Sequence, residues 1–129
     1  MLELEINTSH REEIIDITSK IQNLINKSSF EDGICVVFSS HTTAGITINE
    51  SADPNVKTDL LEGLKKLAPL HNNYKHIEGN SDSHIKTSLI GQSVTVIVEK
   101  KQLQLGTWQS IWFCEFDGPR KRRVWVKLI

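Results

Sequence analysis

The strongest constraint in this sequence is its repeated period-two alternation. "LELEIN" (2–7) sets Leu2, Leu4 and Ile6 against Glu3, Glu5 and Asn7, and "GITIN" (45–49) and "SVTVIVE" (93–99) alternate in the same way. Such a period puts successive side chains on opposite faces of a strand, so a register slip of one residue would turn the apolar set outward. "ICVVF" (34–38) is instead a continuous apolar run, expected as a strand buried on both faces. The last third adds "LQLGTWQSIWFCEF", with Gly106 as a bulge or kink, and "RRVWVKLI". "KKQ" and "DGP" are the turns that separate these strands.

Two helices are expected among the strands. "SHRE" (Ser9 to Glu12) has the S-x-x-E form of a capping box, and Ile14, Ile17, Ile21 and Leu24 follow at helical spacing, with Ile15 and Ile25 widening the stripe. This first helix should stop near Lys27 and Ser28. The second opens on Asp53 as N-cap and Pro54 in the first turn, buries Val56, Leu60, Leu64 and Leu67, and ends at Pro69. Residues 69–84 show no period and read as a long irregular loop, a feature that small domains keep for a task. The order β-α-β-β-α followed by antiparallel strands gives one α+β domain over residues 1–129. Strand edges and the large side chains of Trp108, Trp112 and Trp125 call for cover, which oligomerisation would supply.

Bulk properties narrow the function classes. With 38% apolar and 24% charged residues, the 129-residue chain has the composition of a folded domain. No apolar run approaches the roughly 20 residues of a membrane span, and the start lacks a secretory pattern, so a cytoplasmic protein is expected. Cys35 and Cys114 are then core thiols rather than a disulfide. Net charge is −1, but residues 120–129 carry five cations and no acid, leaving −6 on the rest. A local anion-binding patch fits that asymmetry; an extended nucleic-acid surface does not.

Polar groups with chemical potential gather in three stretches. "SHTTAGITINESAD" offers His41, Thr42, Thr43, Glu50 and Asp53; "YKHIEGNSDSHIK" offers His76, Glu78, Asn80, Asp82, His84 and Lys86. "LGTWQ…CEFDGPR" offers Thr107, Gln109, Glu115 and Arg120, with Trp108 read as a core or interface anchor. Imidazoles at 41, 76 and 84 suit a divalent metal, although their spacing matches no zinc motif. Glu50 is a general-base candidate, while Asp53 is explained as a helix cap. Were residues 84–86 extended, Lys86 would lie on the same side as His84 and place a cation beside a phosphate. The "RKRR" run (120–123) reads most simply as a solvated hairpin flank.

Taken together, "HTTAGITINESADPNVKTDLL", "YKHIEGNSDSHIKTSLIG" and "LGTWQSIWFCEFDGPRKRRV" resemble the YjbQ family, described as secondary thiamine-phosphate synthases. The resemblance covers nearly the whole chain. It implies a YjbQ-like α+β fold, two helices on a bifurcated, mostly antiparallel sheet, assembled as a homotrimer. It implies joining a pyrimidine-methyl diphosphate to a thiazole phosphate with loss of diphosphate; holding a small phosphorylated metabolite without chemistry is the alternative. On the residues that match the family's motifs, Glu50, His41 and Lys86 are expected to be catalytic. Thr42, Thr43, Asn80, Asp82, Thr107, Trp108, Gln109 and Arg120 are expected to contact substrate. His41, His76 and His84 are expected to hold a divalent ion, zinc or magnesium.

Overall fold

Two antiparallel sheets pack on one shared core, to which a helix also contributes. The computed structural model describes all residues, 1–129. Along the chain run β1 (Leu2–Asn7), β2 (Glu13–Asp16), α1 (Thr18–Lys27), β3 (Gly33–Ser39), β4 (Ala44–Glu50), α2 (Pro54–Leu67) and α3 (Ser81–Ile90). Then come β5 (Ser93–Glu99), β6 (Gln102–Leu103), β7 (Gln109–Glu115) and β8 (Lys121–Leu128). The larger sheet has the order β1-β8-β3-β5-β6 and the smaller β2-β7-β4, every pair antiparallel. This is the two-part sheet expected, with a third helix added.

The main core lies between the sheets. Ile6, Val37, Val96, Val98, Val124 and Val126 from the larger sheet meet Ile46, Ile111 and Phe113 from the smaller, with Ile17, Ile21 and Ile25 packed among them. A second cluster, Leu64, Trp112, Cys114 and Phe116, fills the other face of the smaller sheet beneath α2. Successive side chains of β7 therefore serve two cores, Phe113 one and Trp112 the other, as strand geometry requires. Burial on both faces belongs to β7 and not to "ICVVF". In β3, Cys35 and Val37 are buried while Ile34 and Phe38 remain 36% and 38% exposed. Phe38 stacks on Trp125 of β8 with ring centroids 5.8 Å apart on that open face. Cys35 and Cys114 are buried free thiols whose desolvation pushes their pKa up to about 11 and about 12.

Three local expectations are revised. Ile14 and Ile15 belong to strand β2, paired with Cys114 and Phe113, because β-branched neighbours fit a pleated edge better than a first helical turn. The helix begins at Thr18, where the Asp16 carboxylate accepts from the Thr18 amide at 3.0 Å and from its hydroxyl at 2.7 Å. The "SHRE" box does not form: the Ser9 amide donates to Glu13, one residue beyond the expected partner. In α2 the cap is as expected, Asp53 accepting from the Asn55 amide at 2.9 Å, but Leu67 is 72% exposed.

The largest revision is α3. It buries Asp82, Ser83, Lys86 and Thr87 while exposing Ile85 and Leu89, so its inward face is polar and no apolar stripe marks it. No helix of the chain is long and apolar enough to cross a membrane.

Candidate functional site

At the end of the smaller sheet where β7 leaves for β8, the fold buries charge instead of hydrocarbon. Glu115, fully buried, accepts from Arg122 Nε at 2.9 and 3.1 Å, and a second guanidinium nitrogen of Arg122 also donates to it. The Thr8 hydroxyl (2.7 Å) and the Asp117 amide (3.1 Å) complete its acceptor set. Arg122 also donates to Thr43, to Oγ1 at 2.8 Å and to the carbonyl at 3.3 Å. Arg122 is inward because it shares a face of β8 with Val124 and Val126, two and four residues on. Reading "RKRR" as a solvated flank misses this residue; extending the alternation of the strand backward by one step would find it.

A second buried network underlies α3. Asp82 takes a bidentate fork from Arg11 at 3.2 and 3.0 Å and a bond from Lys86 Nζ at 2.9 Å. Burial pushes the Asp82 carboxyl upward, and this is the largest single influence; the Arg11 and Lys86 contacts together outweigh it and hold the pKa below the ordinary value. Lys86 pairs as well with Glu12 at 3.0 Å. Ser83 Oγ links the two networks, receiving a long bond from Arg11 (3.4 Å) and donating to the Phe116 carbonyl at 2.6 Å. Arg11, Glu12, Thr8, Ser83 and Arg122 were not among the expected site residues. The Asp82–Lys86 spacing of i, i+4 was the available signal, and it requires a helix.

These contacts change the role of Lys86. It is 1% exposed and doubly ion-paired, so it is not a free cation lying beside His84. Helical geometry is the reason, since residues two apart do not share a face. Asp82 is likewise fully buried and saturated by cations, and a substrate has no access to it. Asn80 precedes α3 and donates to Asp117 Oδ2 at 2.8 Å. Arg120 donates from Nε to the Asp117 carbonyl at 2.9 Å and from a terminal nitrogen to its carboxylate at 3.2 Å, while half of its side chain stays exposed.

His41 follows the end of β3, and its surroundings are tied down. Its amide donates to Ser39 Oγ at 3.3 Å, and that hydroxyl donates to the Ala44 carbonyl at 2.7 Å. The Gln92 amide lies against the Ser39 and His41 carbonyls, and turned so that its nitrogen faces them it donates to both, at 2.7 and 3.1 Å. The His41 Nε2 accepts from the Arg123 amide at 2.9 Å. Partial burial lowers the imidazole pKa most, the charge of Arg122 adding to the effect and that of Glu115 opposing it. Thr42 beside it is exposed, whereas Thr43 is buried on Arg122.

The remaining expected residues lie elsewhere. Ala44 pairs with Glu115 and Glu50 pairs with Gln109, so Glu50, Thr107, Trp108 and Gln109 sit at the far end of β4 and β7. Six strand residues separate those ends by about 20 Å. Thr107 and Trp108 form an exposed turn, Gln109 Oε1 accepting from the Gly106 amide at 2.8 Å. His76 and His84 do meet, edge to face at 5.3 Å between centroids, beside a shallow pocket of about 340 Å³ shared with Tyr74, Lys75 and Ser81. No three His, Cys, Asp or Glu side chains of one chain are placed to hold a metal ion. The triad His41, His76 and His84 is therefore not assembled within a chain, and the Nε2 of His41 is already engaged by the Arg123 amide.

A family model described as UPF0047 protein YjbQ-like matches residues 2–129. A UPF0047 protein of Methanocaldococcus jannaschii is 52% identical over 129 residues, covering 100% of this chain and 94% of the relative. The UPF0047 protein YugU of Bacillus subtilis is 46% identical over 127 residues, covering 98% and 96%. Among solved structures, a yjbq/upf0047-family protein of Clostridium acetobutylicum superposes with a TM-score of 0.97 at 52% identity, covering 100% of both chains. A conserved hypothetical protein of Thermus thermophilus gives 0.93 at 42% identity, again covering 100% of both.

Proposed function

The chain belongs to the YjbQ-like UPF0047 family, and on that basis we propose that it is a small-molecule transferase acting on phosphorylated heterocycles, joining a pyrimidine-methyl diphosphate to a thiazole phosphate. The thiazole nitrogen forms a bond to the methylene carbon as the bond from that carbon to the diphosphate oxygen breaks. The bonding pair leaves with the diphosphate, and no proton need be transferred. What the protein must supply is stabilisation of the departing anion. The observation that carries the proposal is the cationic start of β8: the Arg123 amide caps His41 Nε2, Arg120 stays half exposed, and the acids nearest the arginines, Asp117, Glu115 and Glu3, are already paired with Arg120, Arg122 and Arg123. One chain brings no three His, Cys, Asp or Glu side chains together to hold a metal, and a divalent ion, magnesium or zinc, would serve as the counter-ion of the diphosphate.

Purified protein given both substrates with magnesium should release diphosphate and form thiamine phosphate above the protein-free rate. No product above that background sinks the transferase. The alternative, a binding protein for a small phosphorylated metabolite, is favoured by one observation: Lys86, expected as a catalytic cation, is locked in ion pairs with Asp82 and Glu12. Stabilisation by either substrate without turnover would decide for it.

We place the protein in the cytoplasm as a homotrimer. The exposed apolar residues Ile34, Phe38, Ile85 and Leu89 need cover, and Glu50 with Trp108 approaches a His41 site only if a second subunit brings it there. Light scattering at micromolar concentration should give three times the 14.6 kDa chain mass; a single-chain mass refutes the assembly.

A further inference from the structure

We propose that His41 presents Nδ1–H, and not a bare nitrogen, as the fixed donor of an oxyanion site bounded by Arg120 and the Arg122–Arg123 segment. That site takes one phosphoryl group and excludes a metal ion from His41. The proposal rests on the phosphorylated-substrate reading above and assigns one atom of it.

The tautomer follows from the end of a strand ladder. β3 pairs with β8 as far as Ser39 opposite Val124, and beyond that point the Arg123 amide has no strand carbonyl of β3 to receive it. The imidazole fills the gap, Nε2 accepting that amide at 2.9 Å. A backbone N–H only donates, so Nε2 must carry a lone pair, and a neutral imidazole with a bare Nε2 holds its proton on Nδ1. The outward nitrogen is consequently a donor. A metal ion would have to displace that proton or break the Arg123 bond.

Burial and the arginines around the ring point the same way. Arg122 is held beneath the loop by Glu115 and Thr43, and Arg120 reaches over Asp117 with half its side chain in solvent. Burial does most to disfavour a second proton on the imidazole, both guanidinium groups adding to it and the Glu115 carboxylate opposing them. The nearby acids are occupied: Glu115 by Arg122, Asp117 by Arg120 and Asn80, and Glu3 by Arg123 and Trp125. A neutral N–H donor in a positive field, fixed by a backbone bond, recognises a phosphate or diphosphate oxygen. Arg122 and Glu115 are positioning residues here, acting through Thr43 and Arg123.

Two substitutions separate the two ring nitrogens. His41→Asn keeps an N–H near the Nδ1 position and loses the strand cap; His41→Gln keeps an acceptor that reaches Arg123 and moves its remaining N–H away from the Nδ1 position. With inorganic diphosphate as the probe in calorimetry on the full chain, His41→Gln should bind at least ~10-fold more weakly than the unsubstituted protein, as expected for a lost charge-assisted hydrogen bond. His41→Asn should stay closer to it. Nitrogen-detected NMR at neutral pH should show His41 protonated on Nδ1. An Nε2–H tautomer overturns the proposal. So does absence of diphosphate binding by the unsubstituted protein, or undiminished binding by His41→Gln. If diphosphate binds in the expected order but thiamine phosphate never forms, the transferase fails and the anion site stands. If thiamine phosphate forms at the normal rate with His41→Gln, the site fails and the transferase stands.

Discussion

Replacing Glu115 by alanine is expected to cost about 3–5 kcal/mol of stability, the range for breaking a buried ion pair from one side. The magnitude comes from what is left behind. Arg122 is 2% exposed and cannot turn to solvent, and without Glu115 its remaining acceptors are the Thr43 carbonyl and hydroxyl. The Asp117 amide loses its acceptor in the same step, and the Thr8 hydroxyl keeps only the Arg120 carbonyl. Urea denaturation at one fixed protein concentration would measure the loss, since any assembly makes apparent stability depend on concentration. A second variant tests the cause. Glu115→Leu combined with Arg122→Met removes both charges and should be less destabilised than Glu115→Ala alone, because no unpaired charge remains. A loss below ~1 kcal/mol for the single variant would show that Arg122 finds water, contrary to its burial.

Why some of this fold was legible and some was not is a matter of which signal each element uses. β1 and β5 bury one face each, and their period-two pattern says so directly. α2 starts where Asp53 and Pro54 require it to start, since a cap acts locally and needs no tertiary partner. α3 carries no such marker. Its buried face is Asp82, Ser83, Lys86 and Thr87, and that face is stabilised by Arg11 and Glu12 about seventy positions away, which no local window contains. The start of α1 failed for a related reason: Ile14 and Ile15 satisfy helical spacing and strand propensity equally, and pairing with β7 decides between them.

The candidate site divides along the same line. Motif residues His41, Thr43, Asn80 and Asp82 do gather around the β7–β8 corner, together with Arg120. Their individual roles were not visible, because a sequence does not reveal whether a charge is paired. Three charged residues of the corner, Asp82, Lys86 and Glu115, are spent on one another or on arginines and form the floor of the site. The groups left for a ligand, the His41 ring edge and the outer part of Arg120, are those at the end of the paired network.

Lys86→Met separates the two readings of that lysine. As a free catalytic cation, Lys86 could be lost with little effect on folding. As the centre of a buried network, its removal should cost about 3 kcal/mol, the low end for a broken buried pair, because Arg11 still holds Asp82 and Glu12 can turn toward water. A pH series sharpens the test. Asp82 is held below its ordinary carboxyl value in the folded protein, so it contributes stability that is fully present above the unfolded-state pKa, about 4. That contribution is lost as pH falls through the lower folded-state value. In Lys86→Met one of the two cations responsible is gone, so Asp82 should titrate nearer its ordinary value and the loss of stability on acidification below about pH 4 should be shallower. Urea midpoints from pH 7 down to pH 2 would show it. Unchanged stability at neutral pH together with an unchanged acid limb would mean that Lys86 does not hold α3 in place, and would return it to the list of residues free to meet a substrate.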